Sequence, residues 1–276
     1  MTPLLPALSA FLLTLSLAAP AAALDPTQLP PQSRSVVQEP ARGAHQPPVP
    51  RAAKLLEPAL HLPKSQTPGV LRVALTFDAC MGEVDQRILS VLLSERIPAT
   101  IFVTARWLRR NPQTLALFKA HPELFELENH GENHVPAVDQ PMQIYGIAAA
   151  GSPQAVEQEV AGGASAMQAA GVDRPHWFRG ATAKYDVSAM MQIRAMGFRI
   201  AGYSVNGDGG SLLGAALSEK HIANARDGDV VLAHINQPTH AAGEGVARGI
   251  LALKRRGATF VRLSDVPDLS DETLTH

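Results

Sequence analysis

Hydrophobic residues in the second part of the chain fall in short runs separated by longer amphipathic stretches. Seven runs have the length and composition of buried strands: Arg72–Phe77, Ala99–Val103, Leu124–Asn129, His176–Phe178, Phe198–Val205, Asp229–Ala233 and Ala258–Val261. Most stretches between them have helical periodicity, and Asp85, Asn111 and Asp186 stand where helices would begin. This alternation predicts an α/β fold with a covered parallel sheet. We expect a distorted, incomplete (β/α) barrel of about seven parallel strands, with a doubly wound open sheet as the alternative.

The first 69 residues do not share this alternation. Residues 1–23 contain no acidic or basic side chain, and their apolar run ends in a small-residue cleavage pattern at Ala21-x-Ala23, which predicts a signal peptide. Pro3, Pro6 and Pro20 leave too few uninterrupted apolar residues for an uncleaved anchor. No later segment approaches the length of a transmembrane helix, so we expect no stable membrane span after the signal is removed. Residues 24–69 are rich in Pro and Gln, which indicates a linker or wrapping arm. The folded domain is therefore expected at 70–276, in a periplasmic or secreted protein.

Composition narrows the class of protein. The formal net charge of −1 provides no field that would recruit nucleic acid, so we expect no nucleic-acid partner. Cys80 is the only cysteine, which excludes an intramolecular disulfide. No glycine-rich phosphate-binding fingerprint follows the first strand, and this argues against a nucleotide site.

Polar residues follow the predicted strands at the point where each strand ends. They are Asp78 after the first strand, His130 and His134 after the third, Arg179 after the fourth, Asp208 after the fifth and His234 at the end of the sixth. The carboxyl ends of parallel strands share one rim, where α/β proteins build their active sites. We therefore expect these six side chains to converge.

The segment His130-Gly131-Glu132-Asn133-His134 is a candidate metal site. Two histidines four residues apart on a helical turn point the same way and can bind one metal ion through neutral imidazoles. A pair of ordinary loop histidines is the alternative. Glycine, not glutamate, follows His130, so this is not the zincin pattern.

These residues resemble a known family. Thr76-Phe77-Asp78, His130-x-x-x-His134, Phe178-Arg179, Asp208 and Leu232-Ala233-His234 occur in the order of the five motifs of polysaccharide deacetylases, the NodB-homology or carbohydrate esterase family 4 group. The resemblance covers about Arg72 to Leu263 and implies a distorted (β/α) barrel. It also implies hydrolysis of N- or O-acetyl groups on a carbohydrate with a divalent metal ion, most commonly zinc.

The resemblance assigns a role to each residue. Asp78 resembles the catalytic base, and Arg179 the arginine that orients it. Asp208 resembles the fourth-motif aspartate, which supports the second histidine or its neighbours, and His234 resembles the general acid. His130 and His134 resemble the two histidine ligands of the metal. The chemistry is consistent with these roles, since an acetamide carbonyl needs a cation to polarise it and the leaving amine needs a proton.

The first motif departs from the family pattern, because its second aspartate, a metal ligand, is replaced here by Ala79. Asp85 is the first candidate for the missing ligand, although it could equally cap the following helix. Cys80 is the second candidate, because a thiolate suits zinc, although small buried cysteines usually only pack. A labile metal held by the two histidines and water is the third possibility.

These departures keep other functions open. A glycan-binding pseudoenzyme with a degraded metal site is one alternative, and an amidase on a non-sugar acyl amide is another. Trp177, beside the fourth strand, could stack on a sugar ring or only pack. We expect a metal-dependent deacetylase whose partner is an acetylated carbohydrate.

Overall fold

A computed structural model describes residues 54–65, 67 and 69–271. The predicted signal peptide and most of the predicted linker lie outside these residues. The strands are β1 (Leu71–Ala79), β2 (Ala99–Val103), β3 (Phe125–Asn129), β4 (Gln143–Ile144), β5 (Ile147–Ala148), β6 (Trp177–Phe178), β7 (Arg199–Ile200), β8 (Val205–Asn206), β9 (Val230–His234) and β10 (Ala258–Val261). The α-helices are α1 (Gln86–Ser94), α2 (Ala105–Arg110), α3 (Pro112–Ala120), α4 (Pro153–Ala169), α5 (Val187–Ala195), α6 (Ala215–Ala223) and α7 (Ala242–Arg255).

The main sheet is parallel and curled. Its strand order is β7-β6-β3-β2-β1-β9-β8, and β10 pairs with the first part of β1. β7 and β8 lie at opposite ends of this order, yet only residues 201–204 separate them along the chain. An extended link between Ile200 and Val205 spans at most about 17 Å, so the sheet must curl until its two edges approach. The result is an incomplete (β/α) barrel.

The core lies between the sheet and the surrounding helices. The apolar stripe of α1 buries Ile88, Leu89 and Leu92 against the sheet. On β1, Phe77 and Ala79 face the same core and are almost completely buried. Because side chains alternate along a strand, Thr76 and Asp78 face the barrel interior instead. β1 therefore supplies both core packing and a polar site.

The chain before β1 packs across the gap between β7 and β8. Leu56 forms an antiparallel bridge with Tyr185, and the amide of Tyr203 donates to the carbonyl of Pro58. Leu60 and Leu62 are buried in a second apolar cluster that includes Ala74 and Phe102. The packed part of the chain thus begins before residue 70.

The predicted fold class is confirmed, with two local differences. The predicted fifth strand, Phe198–Val205, is two short strands, β7 and β8, separated by residues 201–204. The antiparallel hairpin β4–β5 was not predicted, because two-residue strands carry no recognisable alternation. Among the helices of the described residues, none is both long and apolar enough to cross a membrane.

Candidate active site

The parallel register of the sheet brings the polar residues to one rim. β1 and β9 pair so that Asp78 lies opposite His234. β3 and β6 pair so that Asn129 lies opposite Phe178, which makes the next residues, His130 and Arg179, neighbours. Asp208 follows β8, beside β9. The strand ends therefore assemble the site.

Asp78 is held from the interior of the barrel by Arg179. The guanidinium Nη1 donates to Asp78 Oδ1 at 3.0 Å and to the hydroxyl of Thr76 at 2.9 Å. Arg179 has no exposed surface, and its other nitrogens donate to the carbonyls of Ala201 and Gly202, each at 3.0 Å. Burial alone would raise the pKa of Asp78, but His130, Arg179 and His234 outweigh it, so the pKa of this carboxyl lies below its usual value. Asp78 is therefore an ionised carboxylate.

His130 has one ring nitrogen engaged and one directed into the site. Its Nδ1 lies 2.5 Å from the carbonyl oxygen of Arg179, so Nδ1 carries the hydrogen and Nε2 carries the lone pair of the neutral ring. Nε2 lies 3.8 Å from Asp78 Oδ2 and 3.4 Å from Cys80 Sγ. This is the orientation that a metal-ligating histidine needs.

His134 reaches the same point from a loop, not from the helical turn that its spacing suggested. Gly131 and His134 both have positive φ angles, 90° and 62°, and together they turn the loop back toward β3. The His130 and His134 rings meet edge to face, with centroids 5.1 Å apart. The structure thus brings the two rings together.

The loop that carries His134 is fixed by a buried carboxylate. Glu159, on α4, accepts hydrogen bonds from the amides of Asn133 and Val135 at 3.0 Å. Asn129 accepts from the amide of Gly131 at 2.8 Å and donates to the carbonyl of Val160. Sequence reasoning missed both residues, because neither lies in a motif.

Cys80 completes a triangle of donor atoms with the two histidines. One ligand atom from each of Cys80, His130 and His134 lies within 4.8 Å of the other two. The carbonyl of Cys80 accepts from the hydroxyl of Thr104, which also caps α2. We call this set the Cys80–His130–His134 triangle.

Asp85, the favoured third ligand in the sequence, is not part of this triangle. It caps α1, since Oδ1 accepts from the amide of Arg87 at 3.0 Å, and the Arg87 guanidinium binds both carboxylate oxygens. The prediction of Asp85 as a metal ligand is therefore corrected to a helix cap. Arg87, two residues later, was the signal in the sequence that favoured the cap.

Asp208 pairs with His234 and not with His134, the second histidine. His234 Nδ1 lies 3.0 Å from Asp208 Oδ1, and the His234 amide donates to Oδ2 at 2.6 Å. Burial would lower the pKa of His234, but the fully buried Asp208 carboxylate outweighs it and raises this pKa well above its usual value. The pair therefore holds a protonated imidazole beside Asp78.

The histidines also determine the charge on Cys80. Burial raises the pKa of the thiol, but the charge of His130 and hydrogen bonds with His130, His134 and His234 lower it well below its usual value. In turn, burial would lower the pKa of His130, yet Asp78 and Cys80 raise it to about 9. Without a cation, the triangle therefore pairs a thiolate with a protonated His130, and a cation bound there would displace the proton from Nε2.

The site opens into a cleft of about 490 Å³. Asp78, Cys80, His134 and His234 line it, as does the exposed Tyr145. Trp177, the aromatic residue considered in the sequence analysis, has no exposed surface and packs against Arg199, so it does not reach the cleft.

An incomplete (β/α) barrel with an ionised aspartate, a protonated histidine and three candidate cation ligands on its rim suits a hydrolase. The family described as Polysaccharide deacetylase matches residues 65–201, which include Asp78, His130, His134 and Arg179. Residues 65–201 therefore belong to this family, as a divergent member. Asp208 and His234 lie beyond the matched residues. No curated protein matches the chain by sequence.

Solved structures share the fold at low identity. A peptidoglycan N-acetylglucosamine deacetylase is 20% identical, with a TM-score of 0.61 over 79% of this chain and 96% of that one. A family 4 acetyl xylan esterase from Clostridium thermocellum, solved with a cobalt ion, is 24% identical, with a TM-score of 0.55 over 71% and 89%. A family 4 pseudoenzyme from Bacillus anthracis is 19% identical, with a TM-score of 0.56 over 74% and 68%.

Proposed function

We propose that this protein is an exported, metal-dependent deacetylase that removes N- or O-acetyl groups from a carbohydrate polymer or oligosaccharide, with zinc as its cation. The observation that carries the proposal is the Cys80–His130–His134 triangle beside Asp78, with the protonated His234 across the same cleft. Export rests on the signal pattern in residues 1–23. Both acyl linkages are included, because the structural relatives comprise an N-acetylglucosamine deacetylase and an acetyl xylan esterase.

The triangle fits zinc in its donor chemistry, and its Cys80–His130 side has the spacing that zinc requires. Zinc binds thiolate at about 2.3 Å and imidazole at about 2.0 Å, which separates the two donors by about 3.5 Å at a tetrahedral angle. Cys80 Sγ and His130 Nε2 lie 3.4 Å apart. Three protein ligands leave one tetrahedral position for water or substrate, as in catalytic zinc sites.

The charged pairs of this chain supply the proton transfers. When bound, the cation supplies Lewis acidity, which polarises the acetyl carbonyl and makes water more acidic. Asp78, kept ionised by Arg179, accepts the proton of the attacking water. His234, kept protonated by Asp208, donates a proton to the leaving amine or alcohol.

The mature protein should be tested for bound metal and for acetate release from acetylated glycans. We expect zinc in the purified protein and acetate release that a chelator stops and added zinc or cobalt restores. Cys80→Ala should lower cation affinity by at least about 100-fold, since losing a ligand costs more than losing an outer partner of one. The cobalt-loaded protein should show sulfur-to-cobalt charge-transfer absorption that Cys80→Ala abolishes.

A matched control is His176→Ala, which removes an exposed histidine outside the triangle and should change neither metal content nor the cobalt spectrum. Glycan binding without metal or acetate release would instead identify a pseudoenzyme, as Ala79 in the first motif would permit. Acetate release that survives metal removal but stops on thiol alkylation would refute the metal role and make Cys80 a nucleophile activated by His234.

A further inference from the structure

The hairpin β4–β5 places an exposed aromatic side chain at the mouth of the catalytic cleft. Gln143 pairs with Ala148 and Ile144 with Ile147, so Tyr145 and Gly146 form a two-residue turn with φ angles of 52° and 78°. Such turns favour Asn-Gly, because positive φ strains most residues that have a Cβ and strains asparagine least. Tyrosine at the first of these positions therefore makes the turn less stable than asparagine would.

Burial in the core does not explain this tyrosine. Its side chain is 77% exposed, whereas the preceding Ile144 is buried and anchors the hairpin. The base of the hairpin is also fixed, because the amide of Ala150 donates to the carbonyl of Pro136 at 3.0 Å. A strained and exposed residue on a rigid hairpin is typical of a residue that binds a ligand.

The ring has a charged neighbour and lines the cleft. Lys184 Nζ lies 5.4 Å from the centre of the Tyr145 ring and 3.4 Å from a carboxylate oxygen of Glu57. Tyr145 and Glu57 both line the cleft that contains Asp78 and His234. The ring is therefore part of the wall that a bound substrate meets as it enters.

An exposed aromatic ring beside a polar cleft suits a pyranose better than a small acyl amide. The C–H groups of a sugar face pack on an aromatic ring, while its hydroxyls remain available to polar neighbours. A small acyl amide would reach only the floor of a cleft of about 490 Å³ and leave Tyr145 unused.

We propose that Tyr145 is a sugar-stacking residue that binds a pyranose ring of the substrate chain at the cleft mouth. This inference rests on the proposed function for the reaction, and it assigns the substrate class: an acetylated oligosaccharide longer than the unit being deacetylated. Tyr145 positions the substrate and takes no part in the proton transfers.

The test compares an acetylated oligosaccharide series with a small aryl acetate that occupies only the floor. Tyr145→Asn should raise KM for the longer oligosaccharides about tenfold with kcat unchanged, and should leave hydrolysis of the aryl acetate unchanged. Because asparagine accepts positive φ, the same variant should also have a higher Tm. Tyr145→Phe should keep the wild-type KM. Met191→Ala, which truncates an exposed side chain on α5 outside the cleft, is the matched control.

An unchanged KM for the oligosaccharides, or an equal rise for the aryl acetate, would overturn the stacking role. If the wild-type protein releases no acetate, the proposed function fails, but calorimetric binding of the same oligosaccharides still tests Tyr145. In that case Tyr145→Asn should weaken binding about tenfold, and equal binding would reject the inference.

Discussion

The two parts of the site are built in different ways. The proton-transfer pairs, Asp78–Arg179 and Asp208–His234, stand at or just after strand ends, and each is a direct ion pair in which one side chain is fully buried. In the Cys80–His130–His134 triangle, Cys80 and His130 also follow strand ends, but His134 is carried by a loop whose amides donate to Glu159. The first part is rigid because the sheet is rigid, whereas the second depends on supporting residues outside the rim.

The largest expected effect separates the two parts through Asp208. Asp208→Asn removes the charge that keeps His234 protonated, so kcat should fall roughly 10²- to 10⁴-fold, the usual contribution of a general acid. Cation affinity should change far less than kcat, because His234 is not one of the three ligands and only hydrogen-bonds Cys80. Steady-state kinetics and metal titration check the two parts separately. Asp268→Asn, an exposed substitution, is the control. A parallel loss of metal would show that the two parts are not independent.

A smaller effect of the opposite kind is expected from Glu159. Glu159→Gln leaves one carbonyl oxygen where two carboxylate oxygens bind the loop amides, so cation affinity should fall about 10- to 100-fold. With saturating zinc, kcat should recover to near the wild-type value. Glu157→Gln changes an exposed glutamate on the same helix and should have no effect. If kcat stays low at saturating metal, the loop also supports the proton transfers.

The smallest effect should leave both parts unchanged. The hydroxyl of the buried Tyr185 accepts a hydrogen bond from the amide of Gly180 at 2.7 Å. Tyr185→Phe leaves that buried amide unpaired, so the free energy of unfolding should fall by about 1–3 kcal/mol. Denaturant unfolding measures this change. Altered metal affinity or kcat would show that the rim is less rigid than the ion pairs suggest.

The same contrast explains what the sequence could predict. Parallel strands bring their carboxyl ends to one rim, so the convergence of Asp78, His130 and His234 could be predicted from their positions at strand ends. The third member of the triangle did not, because it depends on how residues 80–85 turn. Cys80 and Asp85 were both candidates, and only the tertiary structure directs one of them to the histidines.

The partner of Asp208 was equally inaccessible from the sequence. The turn that follows it contains three consecutive residues with positive φ, Gly209, Gly210 and Ser211, and no periodic pattern describes such a backbone. Tyr145 was missed because its hairpin is too short to leave an alternating signal. The helices and strands could therefore be predicted from the sequence, whereas the loops that complete the site could not.

The gap between β7 and β8 has a consequence for how far this scaffold can be altered. The carbonyls of Ala201 and Gly202 accept hydrogen bonds from the Arg179 guanidinium. These bonds replace the water that the buried cation has lost. An additional β-strand that closed the barrel would use these oxygens as acceptors for its own amides. The buried positive charge of Arg179 would then lose its hydrogen-bond partners. Closing the barrel to stabilise the domain would therefore remove the support that keeps the base, Asp78, ionised.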